Sequence, residues 1–296
     1  MCNQKNILSF VGNTVCFCVF SLCSVNVQAN EFVNQQNKIL TSEREVLPVS
    51  VSGFYNKTHN SQKNGFDLNV RGVVGQAQYQ ISNTFLMNVG YIYSDATSKM
   101  RQQKTNIQTD SYFIYGKYQP EKWYLSGQAS YHYVRYKDDN ADFFQKGKSD
   151  IYQASFISGY YLGNVHNYSG LKYTYVDAKD DKSMVAPGKN GEVVTAFIGT
   201  QYAPTYQIKN GVVLTPQFQF AGSYDLKSNN HHAVVDMPDT NVVFALKGSR
   251  LHRAALKTGV GIDFQLQKAI ISAGYNVDWR VSHFSQTGKI VLKYNF

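Results

Sequence analysis

The feature that most limits the fold of this sequence is a hydrophobic period of two residues that begins at Val46 and runs through the rest of the chain. Such alternation places successive side chains on opposite faces of a β-strand. In residues 268–281 one face carries Ala269, Ile271, Ala273, Tyr275, Val277 and Trp279, and the other carries Ser272, Gly274, Asn276, Asp278 and Arg280. Residues 84–95, 150–162, 211–224 and 252–266 alternate in the same way. The sequence therefore predicts an all-β fold.

Twelve such runs occur, at about 46–56, 66–79, 84–95, 110–118, 122–136, 150–162, 168–177, 192–202, 211–224, 252–266, 268–280 and 287–296. Strands of globular proteins have about five or six residues, whereas a tilted strand needs about nine to eleven to cross a bilayer. Long polar connectors (57–65, 96–109, 137–149, 178–191 and 225–251) alternate with short ones (80–83, 119–121, 163–167, 203–210 and Gln267), apart from the short 281–286. This alternation predicts a twelve-stranded antiparallel transmembrane up-and-down β-barrel with both ends of the chain on the periplasmic side.

A soluble β-sandwich or lipocalin-like barrel would show the same period, because periodicity alone does not reveal which face meets solvent. Two features favour the membrane barrel. Aromatic residues stand near strand ends, as in interfacial girdles; they include Phe85, Tyr93, Trp123, Tyr136, Tyr152, Tyr160, Trp279, Tyr294 and Phe296. Charged residues stand on the less apolar face, which suits a wet lumen; they include Lys289 and Lys293.

Four further charges on that face form our candidate luminal site, on neighbouring predicted strands: Lys257, Asp263, Asp278 and Arg280. We expect them to pair across the interior. Two roles stay open at this point. The charges either neutralise one another and hold a narrow pore closed, or they grip residues 30–45 through Glu43 and Glu45.

The first 29 residues have the organisation of a cleavable signal peptide. Lys5 precedes the apolar stretch ILSFVGNTVCFCVFSLCSV (7–25), and the small-residue site VQA (27–29) precedes Asn30. A transmembrane anchor is the alternative, although no basic flank follows the stretch. All four cysteines lie in this segment, so we expect no disulfide in the mature chain. Residues 30–45 are polar and form either a short helix or a loose linker, and the barrel domain is predicted to span 46–296.

Composition and motifs exclude several functional classes. The net charge is +9, but the 29 Lys and Arg residues form no basic run, so the sequence indicates no nucleic-acid partner. No G-x-S-x-G motif frames a serine and no glycine-rich loop precedes a helix, so we predict no enzyme and no cofactor. His231 and His232 stand near Asp236, Asp239 and His252, but without ligand spacing, so we predict solvated loop residues and no metal site.

Several segments resemble the translocator (β-) domain of bacterial autotransporters, the type V secretion family. The likeness covers about 46–296 and is strongest in RAALKTGVGIDFQLQKAIISAGYNVDWRVSHFSQTGKIVLKYNF (253–296). That segment has a glycine-bearing strand, a tight turn and a final strand that closes on an aromatic residue. GFDLNVRGVVGQAQYQISNTFLMNVGYIYSDA (65–96) and DIYQASFISGYYLGN (150–164) resemble hairpins of the family. The resemblance implies a barrel in the Gram-negative outer membrane, with outer-membrane lipid and the barrel-assembly machinery as partners.

The resemblance also implies roles for particular residues. The assembly signal of the family lies in its last strand, which here corresponds to Ile290, Leu292, Tyr294 and Phe296. That strand would pair with the strand at about 46–56, so that neither is an edge. A helix in the pore, here residues 30–45, would link the barrel to an exported passenger.

Residues 30–45 are few for a passenger of that family, so other functions stay open beside a translocator. One is a surface adhesin or interaction barrel that contacts host surface molecules through the connectors 225–251 and 96–109. Another is a small passive channel. For each of these functions we expect a monomer.

Overall fold

The computed structural model describes residues 48–62, 65–100, 103–139, 146–180, 187–208, 211–228, 232–237, 240–247 and 251–294. The predicted signal peptide (1–29), the linker or pore helix (30–45) and Phe296 lie outside these ranges, so the interpretations placed on them stay predictions. His231 and Asp239 lie outside them as well.

Fifteen β-strands are formed by the described residues. They are β1 (Val49–Asn60), β2 (Asp67–Ser82), β3 (Phe85–Met100), β4 (Gln103–Tyr118), β5 (Trp123–Asp138), β6 (Lys146–Leu162), β7 (Val165–Asp180), β8 (Gly191–Tyr202), β9 (Tyr206–Gln207), β10 (Val213–Ser228), β11 (His232–Met237), β12 (Val242–Lys247), β13 (Ala254–Leu266), β14 (Ala269–Arg280) and β15 (His283–Tyr294). Twelve of them are long and correspond one to one with the predicted runs, whereas β9, β11 and β12 are short. Within the described ranges, no helix is long and apolar enough to cross a membrane.

The twelve long strands close into one antiparallel barrel. β1 to β8 pair in sequence order, β8 pairs with β10, β10 pairs with β13, and β13 to β15 follow in order. β15 then pairs with the whole of β1, from Val49 opposite Tyr294 to Asn60 opposite His283. The predicted pairing of the first and last strands is therefore confirmed, and closure removes the edges that an open sheet would expose.

The strands present apolar side chains outward and polar side chains inward, which is the reverse of a soluble protein. In β1, Val51 is 57% exposed on the outer surface, whereas Ser50 and Ser52 are 5% and 6% exposed in the interior. Exposed large side chains cover the outside of the barrel and include Val73, Tyr112, Phe156, Leu171, Phe218, Val260 and Trp279. A surface of this kind needs lipid to remove it from water, while the inward hydroxyls and amides bind one another.

The strands extend further at one end of the barrel than the sequence pattern predicts. We call the end with the short turns, such as 83–84 and 163–164, the periplasmic end and the opposite end the extracellular end. At the extracellular end β3 continues to Met100 and β4 begins at Gln103. The prediction of a long connector at 96–109 is therefore wrong. Most of that segment is polar on both faces. The period therefore disappears from the sequence while the backbone ladder continues.

Candidate functional site: the lumen and its internal hairpin

The connector between β10 and β13 forms a β-hairpin, whereas the sequence pattern predicts a loop at 225–251. β10 itself continues to Ser228, and β11 and β12 then pair in a separate two-stranded sheet, from His232 opposite Lys247 to Met237 opposite Val242. Five consecutive residues of β12, VVFAL (242–246), are each 0% exposed. A two-stranded hairpin cannot cover both faces of its own strand, so other parts of the protein cover β12.

The barrel wall provides that cover. One hydrophobic cluster joins Ala233, Val235, Met237 and residues 242–246 of the hairpin to apolar side chains of β1 to β7. The wall residues of the cluster are Phe54, Leu68, Val70, Val74, Ile92, Ala96, Ile107, Phe113, Val134, Tyr136, Ile151 and Val176. These side chains point into the barrel, so the hairpin lies inside the lumen, in its extracellular half. We call β11 and β12 the luminal hairpin.

Hydrogen bonds from β5 fix the orientation of the luminal hairpin. The Tyr136 hydroxyl donates to the carbonyl oxygen of Ala245 (2.9 Å). Nearer the middle of β5, Gln128 Nε2 donates to Oδ1 of Asn241 (3.1 Å), a residue of the hairpin turn. Asn241 has a φ of 52°, in the left-handed region that Asn tolerates better than most residues. The turn of the hairpin therefore points toward the periplasm and reaches about the middle of the lumen.

A buried ion pair joins the hairpin to β7. The Lys172 ammonium group contacts the Asp236 carboxylate of β11, and the two side chains are only 7% and 10% exposed. Two buried charges cost desolvation energy that their attraction does not always recover, but removing one of them leaves the other at a high cost. The pair therefore contributes to the position of the hairpin more clearly than to net stability.

The remaining wall carries most of the predicted luminal charges. Lys257 Nζ lies 3.3 Å from Asp278 Oδ2, and Arg280 Nη1 lies 2.8 Å from Asp225 Oδ2. Arg280 Nε also lies 3.9 Å from Asp278 Oδ1. Thr195 of β8 donates to Asp225 Oδ1 (2.8 Å). Three of the four predicted charges thus come together on β13 and β14, and Asp225 of β10 completes the network.

The fourth predicted charge, Asp263, lies apart from this network. It stands nearer the periplasmic end of β13, where Gln217 Nε2 of β10 donates to its Oδ2 (2.8 Å). Its neighbour on the same face, Gln265, is also buried. Within the described ranges, no group of three or more His, Cys, Asp or Glu side chains is placed to hold a metal ion.

Sequence reasoning did not identify Asp225 and Lys172 as luminal charges, and the prediction that Asp236 is a solvated loop residue is wrong, because its side chain is buried beside Lys172. The hydrophobic period ends before Asp225, and it gives no reason to single out Lys172 among the polar residues of its strand. One signal was present in the sequence: VVFAL (242–246) is an apolar run within an otherwise polar connector. A solvated loop has no need of such a run, so it indicates a buried segment.

The periplasmic half of the lumen contains an aromatic cluster around one lysine. Lys117 Nζ lies 4.3 Å from the centre of the Tyr124 ring and donates to the Tyr161 hydroxyl (2.9 Å). The His166 ring stacks on Tyr161 with a centroid separation of 4.5 Å, and its Nε2 lies 2.9 Å from the Tyr124 hydroxyl. Tyr168 also stacks on His166, with a centroid separation of 5.0 Å. The cation is thus held by ring faces and a phenol oxygen.

The residues predicted as the assembly signal lie on the outer surface of β15. Ile290, Leu292 and Tyr294 are exposed outward, where they face lipid. They stand opposite Gly53, Val51 and Val49 of β1 across the closing seam. Their exposure is compatible with recognition before closure and with ordinary lipid contact afterwards, so their role as a signal stays a prediction.

Comparison with known proteins agrees with this architecture. A family model described as "Autotransporter beta-domain" matches residues 49–276. The chain belongs to this family. It is therefore an integral β-barrel protein of the Gram-negative outer membrane. Its translocator-domain fold is a transport fold without enzymatic activity. Autotransporter barrels in general sit in outer-membrane lipid and are assembled there by the barrel-assembly machinery.

Solved structures show the same fold at low sequence identity. The translocator domain of autotransporter NalP from Neisseria meningitidis matches with a TM-score of 0.65 and 13% identity, over 90% of this chain and 95% of that one. The β domain of the Bordetella autotransporter BrkA matches with a TM-score of 0.63 and 13% identity, over 86% and 100%. The transport unit of AIDA-I from Escherichia coli matches with a TM-score of 0.57 and 13% identity, over 92% and 98%. No curated protein matches the sequence.

Proposed function

We propose that this protein is a type V secretion translocator whose conduit is closed on the extracellular side by its own luminal hairpin. The observation that carries the proposal is the burial of residues 242–246 against the inward side chains of β1 to β7. A hairpin in that position obstructs the extracellular half of the conduit. Transport of a polypeptide through the barrel then requires the hairpin to move out of the lumen.

The course of β1 supports transport of the segment that precedes it. Val49 lies at the periplasmic rim opposite Tyr294, so the residues before it start beside the entrance of the lumen. Polar inward side chains line this part of the wall and include Ser50, Ser52, Gln78, Asn88 and Ser126. Hydroxyl and amide groups suit the passage of a hydrated, extended chain, because they exchange hydrogen bonds with it and with water.

The position of the hairpin counts against the two alternative functions. A passive channel needs an open path, and the hairpin obstructs one. An adhesin that acts through 225–251 and 96–109 needs those segments outside the barrel, whereas β11 and β12 lie in the lumen and 96–109 is mostly strand. We further propose that residues 1–29 are cleaved, that Ile290, Leu292, Tyr294 and Phe296 act in assembly, and that the barrel is a monomer.

Epitope accessibility on intact cells tests the direction of transport. An epitope inserted within residues 30–45 is expected to bind antibody at the cell surface without permeabilisation. The matched control carries the same epitope in the periplasmic turn 267–268 and is expected to bind antibody only after the outer membrane is opened. An epitope in 30–45 that stays hidden until permeabilisation would contradict the translocator proposal.

Planar-bilayer recording tests closure separately. The purified barrel is expected to conduct little, and a variant in which a short Gly-Ser linker replaces residues 229–250 is expected to show steady conductance. Residues 30–45 should be deleted in both proteins, so that only the hairpin differs between them. Equal conductance of the two proteins would show that the hairpin does not close the conduit.

A further inference from the structure

The outer surface of β5 and β6 carries four basic residues in two directly opposed pairs. Arg135 stands opposite Lys148, and Lys137 stands opposite Lys146 one step further toward the extracellular end. The three lysines are exposed, and the Arg135 side chain is 43% exposed. Like charges directly opposite each other on a sheet repel and destabilise the pairing. Two such pairs in succession therefore suggest a ligand of opposite charge.

A row of tyrosines fixes the level of these pairs relative to the membrane. Tyr131 stands opposite Tyr152, with ring centres 5.4 Å apart, and further tyrosines continue the row on the neighbouring strands. Tyrosine rows of this kind mark the boundary between acyl chains and headgroups. Arg135 and Lys148 lie four residues beyond that row, which is about 10 Å along the membrane normal for a tilted strand. The basic pairs are therefore level with the headgroups of the outer leaflet.

Carboxylates nearby are already engaged, one of them by Arg135 of the patch itself. Asp110 accepts hydrogen bonds from Tyr91 (2.5 Å) and from Arg135 (2.7 Å). Asp150 accepts one from Tyr131 (3.0 Å) and pairs with Lys179. These contacts place the acidic groups one step below the basic pairs, close to the tyrosine row.

At the extracellular side of the patch, Lys104 pairs with Asp139 (3.2 Å). The hydrogen bond from Lys104 lowers the pKa of Asp139 below its usual value, so this carboxylate is charged and committed to that partner. Lys146 and Lys148 form no ion pair with the side chains that the structure describes. These two lysines give the patch its excess of positive charge.

We propose that Lys146 and Lys148, on the edge of β6 that faces Arg135 and Lys137, bind the phosphate groups of a phosphorylated glycolipid in the outer leaflet. A phosphate between the opposed pairs would accept charge-assisted hydrogen bonds from lysine and arginine and would relieve their mutual repulsion. Exposed Phe156 and partly exposed Leu125 lie on the same outward face toward the periplasmic end, where acyl chains would pack. The combination of a cationic patch with an apolar surface directly below it favours a lipid over a free anion.

Native mass spectrometry of the mature barrel in detergent tests the proposal, with bisphosphorylated lipid A as the probe. The variant Lys146→Gln/Lys148→Gln is expected to bind it roughly 25-fold more weakly, since each lysine near an anionic lipid surface contributes about fivefold. The matched control is Lys57→Gln, an outward lysine of β1 that stands opposite the neutral residues Asn69 and Gln286. This control is expected to bind lipid A like the native barrel. A heat-dependent shift in gel migration verifies that each variant is folded.

Two further probes test whether the bound phosphate must belong to a lipid or can be a free anion. Lipid A from which both phosphates have been removed is expected to bind no better to the native barrel than to the double variant. Inorganic phosphate at equal concentration is expected not to displace lipid A. The proposal is overturned by unchanged binding in the double variant, by equal loss in Lys57→Gln, by equal binding of dephosphorylated lipid A, or by displacement with inorganic phosphate.

Discussion

The inner surface of the barrel has two walls of different chemistry toward its extracellular end. The wall formed by β1 to β7 carries a large apolar cluster there, with Leu68, Ile92 and Ile107 fully buried, whereas the wall formed by β10, β13 and β14 carries the Asp225–Arg280 and Lys257–Asp278 pairs. An apolar wall inside a water-filled pore would be unfavourable. The first wall is therefore one half of a hydrophobic core, and the luminal hairpin is the other half.

Apolar contacts and one ion pair hold the hairpin against β1 to β7 for different physical reasons. Burial of a large apolar side chain contributes about 1.5–3 kcal/mol, and five consecutive residues of β12 are buried without exposed surface. The Lys172–Asp236 pair contributes less to net stability, because its ions lose hydration as they pair. We infer that the apolar contacts supply most of the affinity for the hairpin, and that this ion pair restricts its position.

A charge placed among the apolar contacts of the hairpin should disturb its position more than any other change considered for the lumen. Phe244→Asp would bury a carboxylate among the side chains of β1 to β7, at a cost of more than about 4 kcal/mol for the seated hairpin. We expect the hairpin to leave the lumen, so that added protease cleaves within 229–250 and conductance appears in planar bilayers. Phe244→Leu keeps an apolar side chain and is expected to stay protected and closed. Equal protease resistance of the two variants would refute the assignment of the apolar wall.

A smaller effect is expected at the ion pair between the hairpin and β7. Lys172→Met removes the cation beside Asp236 and should weaken hairpin seating by about 3 kcal/mol, because the carboxylate stays buried. Lys172→Met/Asp236→Leu removes both charges and should recover most of that loss. The measurement is the protease protection of the hairpin as a function of urea concentration in both variants. Equal loss of protection in the double and single variants would show that the loss does not come from leaving the Asp236 carboxylate buried without its cation.

The sequence predicted the strands and closure of the barrel, but it did not predict the luminal hairpin or most of its contacts. A period of two over twelve runs defines strands, faces and closure, because each backbone ladder repeats the same local geometry. Hairpin seating depends on contacts between β12 and strands far away in sequence, such as the bond from Tyr136 to Ala245, and no local pattern encodes such contacts. Among the charges, the pairing of Lys257 and Asp278 could be expected because they stand opposite each other on adjacent strands, whereas the partners Asp225 and Asp236 lie beyond the period.

A substitution in the periplasmic half of the lumen should destabilise the barrel without displacing the hairpin, which lies in the extracellular half. A methyl group on Gly170 of β7 would overlap the Phe156 carbonyl oxygen and the ring of Phe197, which packs over this glycine. Gly170→Ala is therefore expected to destabilise the barrel by about 1–3 kcal/mol. Gly127→Ala is the matched control, since the nearest atom to its new methyl group would be 3.8 Å away.

Urea unfolding in lipid vesicles, followed by the heat-dependent gel shift, measures both glycine variants. Gly170→Ala should lower the unfolding midpoint and Gly127→Ala should not, while protease protection of the hairpin stays native in both. Loss of hairpin protection in Gly170→Ala would show that the two halves of the lumen are coupled more tightly than their separate clusters indicate.

The smallest expected effect lies at the seam where β1 meets β15. Asn56 Nδ2 donates to Oγ1 of Thr287 (2.7 Å) and to Oγ of Ser285 (2.9 Å), so inward side chains as well as the backbone cross the closing seam. Thr287→Val keeps the shape but removes the acceptor, and it is expected to lower the free energy of unfolding by about 1 kcal/mol. Thr287→Ser keeps the hydroxyl and is expected to lose less than half as much. The comparison of their urea midpoints decides whether the hydroxyl or the methyl group matters at this position, because an equal loss in both variants would assign the effect to packing rather than to the hydrogen bond.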